Sequence, residues 1–301
     1  IVVLHSRAYL WLPYSYYVEK VFIRLAVPFF FVTSGYFFQI SLLNGKSFKN
    51  YAMRLALPLI GWESVNVLLE TIKMSMRGEA SDVIAIDMIK HILFYPYGAL
   101  WYVQACIVGA ALLSRMYKKL NVALIIGACG YVFALLCNSY FFVVENNLAI
   151  NSFIRWYIHT FISGRNGLFV GLLFLAIGAK CTEINKVIDN YIFLLIAFVL
   201  YVFEIFLLAN KKPLDDGALY ITQIILVPAI LKCLLKTEVR IKSSCALMLR
   251  KMSTGIYYIH RPILSIFVII GMQTQIQVNE PLQCVFVLCV GMIICFCVSK
   301  S

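Results

Sequence analysis

Apolar segments near residues 21–43, 51–72, 99–117, 121–144, 166–180, 191–209, 217–236, 252–272 and 281–298 follow one another with short polar connections. A hydrocarbon core of about 30 Å is crossed by about 20 apolar residues in a helix, where every backbone N–H and C=O is satisfied without water. Ile1, Val2, Val3 and Leu4 read as the second half of a further helix whose start lies before residue 1. The pattern therefore predicts an all-α integral membrane protein, a bundle of about ten transmembrane helices with the first truncated, and residues 1–301 as one transmembrane domain. A large soluble domain is excluded, because 62% of the residues are hydrophobic, 13% are charged and the mean hydropathy is +0.88.

The formal charge of +12 does not point to nucleic acid, since the basic residues sit in short runs between apolar segments, where they read as topology signals. Counted loop by loop, 15 lysines and arginines fall on one side and 10 on the other. Lys46, Lys49, Arg54, Arg115, Lys118, Lys119, Lys180, Lys186, Lys232, Lys236 and Arg240 belong to the richer side, which is expected to be cytoplasmic. Loops 6–20, 73–98, 145–165, 210–216 and 273–280 then face outward. The ten cysteines fall mostly inside apolar runs without metal-ligand company, so they read as structural thiols and no metal is expected.

Ionisable groups inside a bilayer are costly unless paired or solvated, which singles out His5, Arg24, Glu63, Glu70, Glu204, His260 and Arg261. His5 ends the first span: it is either a solvated terminus or an imidazole able to take a proton from an alcohol near neutral pH. Arg24 either snorkels outward or stabilises negative charge developing on a reacting carbonyl. Glu63 and Glu70 lie two turns apart on one face, which suits pairing, with Arg24 for example, or a proton relay. His260, Arg261 and Pro262 interrupt the ninth span, a cluster that seldom serves packing alone. Arg54 begins the third span and is either a topology anchor or a contact for phosphate. Tyr9, Trp11, Tyr14, Tyr16 and Tyr17 read as an interfacial belt, with stacking on sugar rings the alternative.

Several motifs carry a resemblance. The run Pro28, Phe30, Phe31, Ser34, Gly35, Tyr36 resembles the signature of the membrane acyltransferase-3 family, and His5 stands where that family has the histidine of its first helix. Arg54 with Pro58, Leu100-Trp101-Tyr102, Phe174 with Gly178, and the block Ser253, Gly255, Tyr257, Tyr258, His260, Pro262 are similar to its later motifs, in order. Two positions depart: Tyr51 replaces the earlier arginine of a pair, and the arginine preceding the histidine would fall before Ile1. The resemblance implies transfer of an acyl group, usually acetyl, from cytoplasmic acyl-CoA to a hydroxyl of an extracytoplasmic glycan or lipid-linked sugar. It also implies a multi-pass protein of the cell membrane, of the bacterial cytoplasmic kind. His5, Arg24 and His260 would then be catalytic, with His5 as base or transient acyl carrier and the other two orienting the carbonyl or its oxyanion. Arg54, Ser34, Gly35 and Tyr36 would bind the donor. Partners would be acyl-CoA, the sugar acceptor and membrane lipid. A transporter or flippase of a small polar substrate, or the membrane module of a serine racemase-like protein, is the alternative.

Overall fold

Helix length decides which apolar segments can cross a membrane on their own. In a computed structural model, which describes residues 1–183, 191–237, 242–275 and 278–300, every regular element is helical. In chain order they are α1 (Val2–His5), α2 (Ser15–Val18), α3 (Ala26–Leu43), α4 (Phe48–Met76), α5 (Ser81–Leu93), α6 (Trp101–Met116) and α7 (Leu120–Leu136). There follow α8 (Leu148–Phe161), α9 (Leu172–Lys180), α10 (Tyr191–Leu208), α11 (Gln223–Lys236), α12 (Ser243–Thr274) and α13 (Glu280–Lys300). Among the described residues, five helical stretches are long and apolar enough to span by length and composition: Ser15–Leu43, Phe48–Met76, Ser81–Met116, Tyr191–Leu208 and Ser243–Thr274. With the shorter apolar helices Leu120–Leu136, Gly167–Lys180 and Glu280–Cys295, they make a multi-pass membrane protein. Lys186 and Arg240 of the charge count lie outside the described residues.

The chain forms two compact units. The first holds Ile1–Glu19, Pro58–Leu100 and the part of the chain from Val239. Here α12 packs along α13, and α1 lies against both. Their shared core is Val2, Ile263, Leu264, Cys284 and Val287, closed by Ile256, Ile259 and Phe267. Gly255 and Gly291 allow the crossing, since a Cβ at either would run into Cys295 or Ile256.

The second unit, Lys20–Leu57 with Trp101–Glu238, is built around α9, whose residues Leu172, Phe174, Leu175, Ala176 and Ala179 are all 0% exposed. A helix apolar on every side is stable when neighbours cover every side. Here α3, α6 and α7 do so. Gly178 faces the Val32 carbonyl of α3, and Gly127 of α7 faces the backbone of Leu173, so backbones approach where side chains would collide. The π-helical turn Gly167–Gly171 leads into α9, and Asn166 caps it by accepting from the Leu168 and Phe169 amides at 3.0 Å.

Three expectations change. Loops 73–98 and 145–165 contain helices, α5 and α8. Ile86, Ile89 and Ile92 on α5, and Leu148, Phe153 and Trp156 on α8, are exposed beside buried Ile84 and Ile154. Both helices, of 13 and 14 residues, are too short to stand out by themselves as spanning stretches. The segment 217–236 becomes helical only at Gln223. Before it, the amides of Ile221 and Thr222 donate to the Glu204 carboxylate at 2.7 and 2.8 Å. The Tyr140 and Thr222 hydroxyls donate to the same carboxylate. Glu204, an expensive buried charge on α10, thus serves to seat the start of α11.

Candidate active site

In the first unit, α1 and α12 bring two of the expected catalytic residues together. The rings of His5 and His260 lie 5.2 Å apart and are tilted by 41°. His5 ends α1 and is half-buried, whereas His260 is 0% exposed. His260 Nδ1 lies 2.6 Å from the Tyr257 carbonyl and 3.2 Å from that of Ile256, one turn back on its own helix. Pro262 follows, and its missing N–H leaves the carbonyl four residues earlier without a helical donor.

A polar face of α4 meets α12 through Arg261 and Ser265. Glu63, Asn66, Glu70 and Lys73 recur at helical spacing, and Glu63, Asn66 and Lys73 are buried. Lys73 Nζ donates to Glu70 at 2.6 Å and to the Ser265 hydroxyl at 3.1 Å. Arg261 approaches Glu70 at 3.5 Å. Glu70 is therefore shared by Lys73 and Arg261, in place of the expected partner Arg24. Glu63 Oε1 accepts from the Tyr97 amide at 3.0 Å. The turn at Tyr97–Ala99 is held from the other side by the Tyr257 hydroxyl, which donates to the Ala99 carbonyl at 2.5 Å. Gly98 between them has φ +64°, and a Cβ there would meet the Arg261 side chain at 2.5 Å, so both the conformation and the space call for glycine. The Tyr97 ring stacks on His91 at 3.8 Å and its hydroxyl donates to Asp87 at 2.6 Å.

In the second unit, Arg24 precedes α3 and belongs to a charged network that sequence reasoning missed. Its guanidinium meets Asp216 Oδ2 at 2.5 Å, and Arg165 meets the same oxygen at 2.7 Å. Asn138 Nδ2 donates to Asp216 Oδ1 at 3.1 Å, and Lys20 Nζ donates to the Asp216 carbonyl at 2.6 Å. Asp215 accepts from Ser163 at 2.6 Å, and the Arg165 guanidinium lies over the Trp101 ring at 5.1 Å. Burial would raise the Asp216 carboxyl, but Arg165, Arg24, Asn138 and Lys20 outweigh it and hold its pKa well below the usual carboxylate range. The available signal was two adjacent carboxylates, Asp215-Asp216, in a short connection within an apolar chain. Without a fold, nothing in the sequence assigned them Arg24 and Arg165.

The Ser34 hydroxyl lies 3.0 Å from that of Tyr102, and Tyr51, Tyr102 and Ser34 gather around the buried Cys106 thiol. Tyr51, which stands in place of an arginine, is thus drawn into a neutral polar cluster. Tyr36 is half-buried, with its ring 5.3 Å from that of Phe37. Gly35 was expected to contact the donor; instead the Leu175 backbone of α9 fills the position its Cβ would take, so this glycine serves helix crossing. Arg54 is exposed on the first half of α4, beyond exposed Lys46 and Lys49.

A family model described as an acyltransferase domain matches residues 1–300. The chain belongs to the acyltransferase-3 family. The chain is also similar to an amino-acid racemase of Enterococcus faecalis, 28% identical over 178 residues, which cover 56% of this chain and 24% of that protein. A serine/alanine racemase of Enterococcus gallinarum is 26% identical over 206 residues, 64% of this chain and 28% of that protein. The matches thus span about a quarter of the length of these relatives. No solved structure matches the chain significantly.

Proposed function

We propose that this acyltransferase moves an acyl group, acetyl by preference, from cytoplasmic acyl-CoA to a hydroxyl of an extracytoplasmic glycan or lipid-linked sugar. The observation that carries this reading is the His5–His260 pair, two imidazoles side by side at the end of α1 in a family of acyltransferases. Attack by a hydroxyl on a thioester needs its proton removed, and an imidazole does this near neutral pH. Transfer is direct: the hydroxyl oxygen bonds to the acyl carbon, the C–S bond breaks, and CoA leaves as its thiol. Arg24, held at the Asp216 carboxylate, is the cation proposed to face the developing oxyanion. The 15 to 10 asymmetry of basic residues supports a cytoplasmic start of α4, where the exposed charges of Lys46, Lys49 and Arg54 suit the phosphates of CoA. Ser34 and Tyr36 on α3 are the further donor contacts proposed. The deciding experiment follows radiolabelled acetyl-CoA with the full-length protein in membranes: label enters envelope glycan if the reading holds. Consumption of no acetyl-CoA at all would sink it. The racemase relatives favour a second reading, the membrane module of a serine racemase-like protein, which would leave acetyl-CoA untouched.

Two predictions test the arrangement. Arg54→Ala weakens acetyl-CoA binding by about tenfold, the scale of one charge-assisted phosphate contact, while acceptor binding is unchanged. Equal acetyl-CoA affinity in the folded variant would make Arg54 a topology anchor. Cysteines introduced at the exposed positions Asn44 and Asn121 resist an impermeant thiol reagent added outside, and one at exposed Lys212 reacts. Labelling of the first two from outside would invert the topology.

A further inference from the structure

The two imidazoles of the candidate site differ in which hydrogen each can offer. His260 Nδ1 faces only carbonyl oxygens, those of Tyr257 at 2.6 Å and Ile256 at 3.2 Å. A carbonyl can only accept, so Nδ1 carries the hydrogen of the neutral ring, and Nε2 holds a lone pair. That lone pair is buried and meets no hydrogen-bond partner, although His260 is 0% exposed. Buried polar atoms are nearly always satisfied, so this lone pair, on a ring held in one tautomer, is free to accept a hydrogen from a ligand. The same unit holds an apolar core to which α1 gives Val2, α12 gives Ile263, and α13 gives Cys284 and Val287. His5 is the polar neighbour whose ring stands 5.2 Å away.

We infer that the Nε2 atom of His260 binds the acceptor's hydroxyl as a hydrogen-bond acceptor and takes its proton during transfer, while the half-exposed His5 passes that proton onward. The inference rests on the acyl-transfer reading above and refines it. The neutral ring cannot donate to the oxyanion, which is the role sequence reasoning expected of His260. In the step, the hydroxyl O–H bond breaks and its proton moves to Nε2. The oxygen forms the new bond to the acyl carbon, and the C–S electron pair leaves with sulfur. The proton then travels by way of His5 to the CoA thiolate, so an alcohol and a thioester become an ester and a thiol. The geometry restricts the acceptor to a group with a hydrogen to give, a hydroxyl or an amine.

The test compares His260→Gln and His260→Leu with the unaltered full-length protein, using radiolabelled acetyl-CoA and membranes that contain the natural acceptor. Leucine fills the apolar site without a lone pair. Glutamine keeps a polar group that can orient a hydroxyl but does not take its proton. Both variants are expected to lose about a hundredfold or more in transfer, with acetyl-CoA affinity within about twofold of normal. Transfer above about a tenth of normal in either folded variant overturns the inference, because polar contact or packing alone would then suffice. If His260→Leu does not yield folded protein, His260→Gln decides alone. Absence of label transfer by the unaltered protein, by contrast, sinks the acyl-transfer reading.

Discussion

Replacing His5 with alanine is expected to lower acyl transfer by about two to four orders of magnitude, the scale of losing a proton-transfer group, and to leave the protein folded. The side chain ends a four-residue helix and is only half-buried, so its loss removes little packing. It does remove the ring beside His260, and with it the route by which a proton leaves a fully buried base. His5→Gln, which keeps a polar amide of similar reach, is expected to fall as far. Residues that act as one unit are not additive, so the double variant His5→Ala with His260→Gln should be scarcely slower than either single one. Radiolabelled transfer to envelope glycan gives the readout. Near-normal rates in both single His5 variants would take this residue out of the mechanism and direct attention to His260 and Glu63.

Asp216→Ala should cost about 1–3 kcal/mol of stability, because losing this part-buried carboxylate takes a shared partner from two guanidinium groups and an amide. Three partners depend on this carboxylate: Arg24 at 2.5 Å, Arg165 at 2.7 Å and Asn138 at 3.1 Å. Asp216→Asn keeps the shape and part of the hydrogen bonding, so it should lose less. The same carboxyl makes a pH prediction. Its folded pKa is held below the unfolded value of about 3.9, so the unfolded state binds the proton more readily. Its contribution is therefore fully present above pH of about 4 and declines as pH falls through the folded pKa. Thermal unfolding of detergent-purified protein should show the unaltered chain losing more stability than Asp216→Ala across that acid window. Parallel curves would mean that the network contributes no net stability.

Much of this protein follows from sequence alone, for a physical reason: lipid admits few ways to satisfy a backbone, so apolar stretches become helices wherever they are long enough. That determined the all-α class, the spans at α3, α4, α10 and α12, and through its motifs the family. His5 and His260 stood out for the same reason, since a titratable ring in an apolar run needs an explanation. Tertiary structure decided what depends on several segments meeting. Arg24 found Asp216, nearly two hundred residues on in the chain, because loop closure rather than local pattern brings them together. Glu204 became the seat of α11, and Glu70 went to Lys73 and Arg261. Gly35 was legible as a place of close approach, but whether a helix or a ligand came near depended on α9 lying there. Helices α5 and α8 escaped a reading based on mean hydropathy, because at 13 and 14 residues neither fills a spanning stretch. The direction of the His260 hydrogen, on which the chemistry turns, depends on two carbonyl positions that only the folded helix supplies.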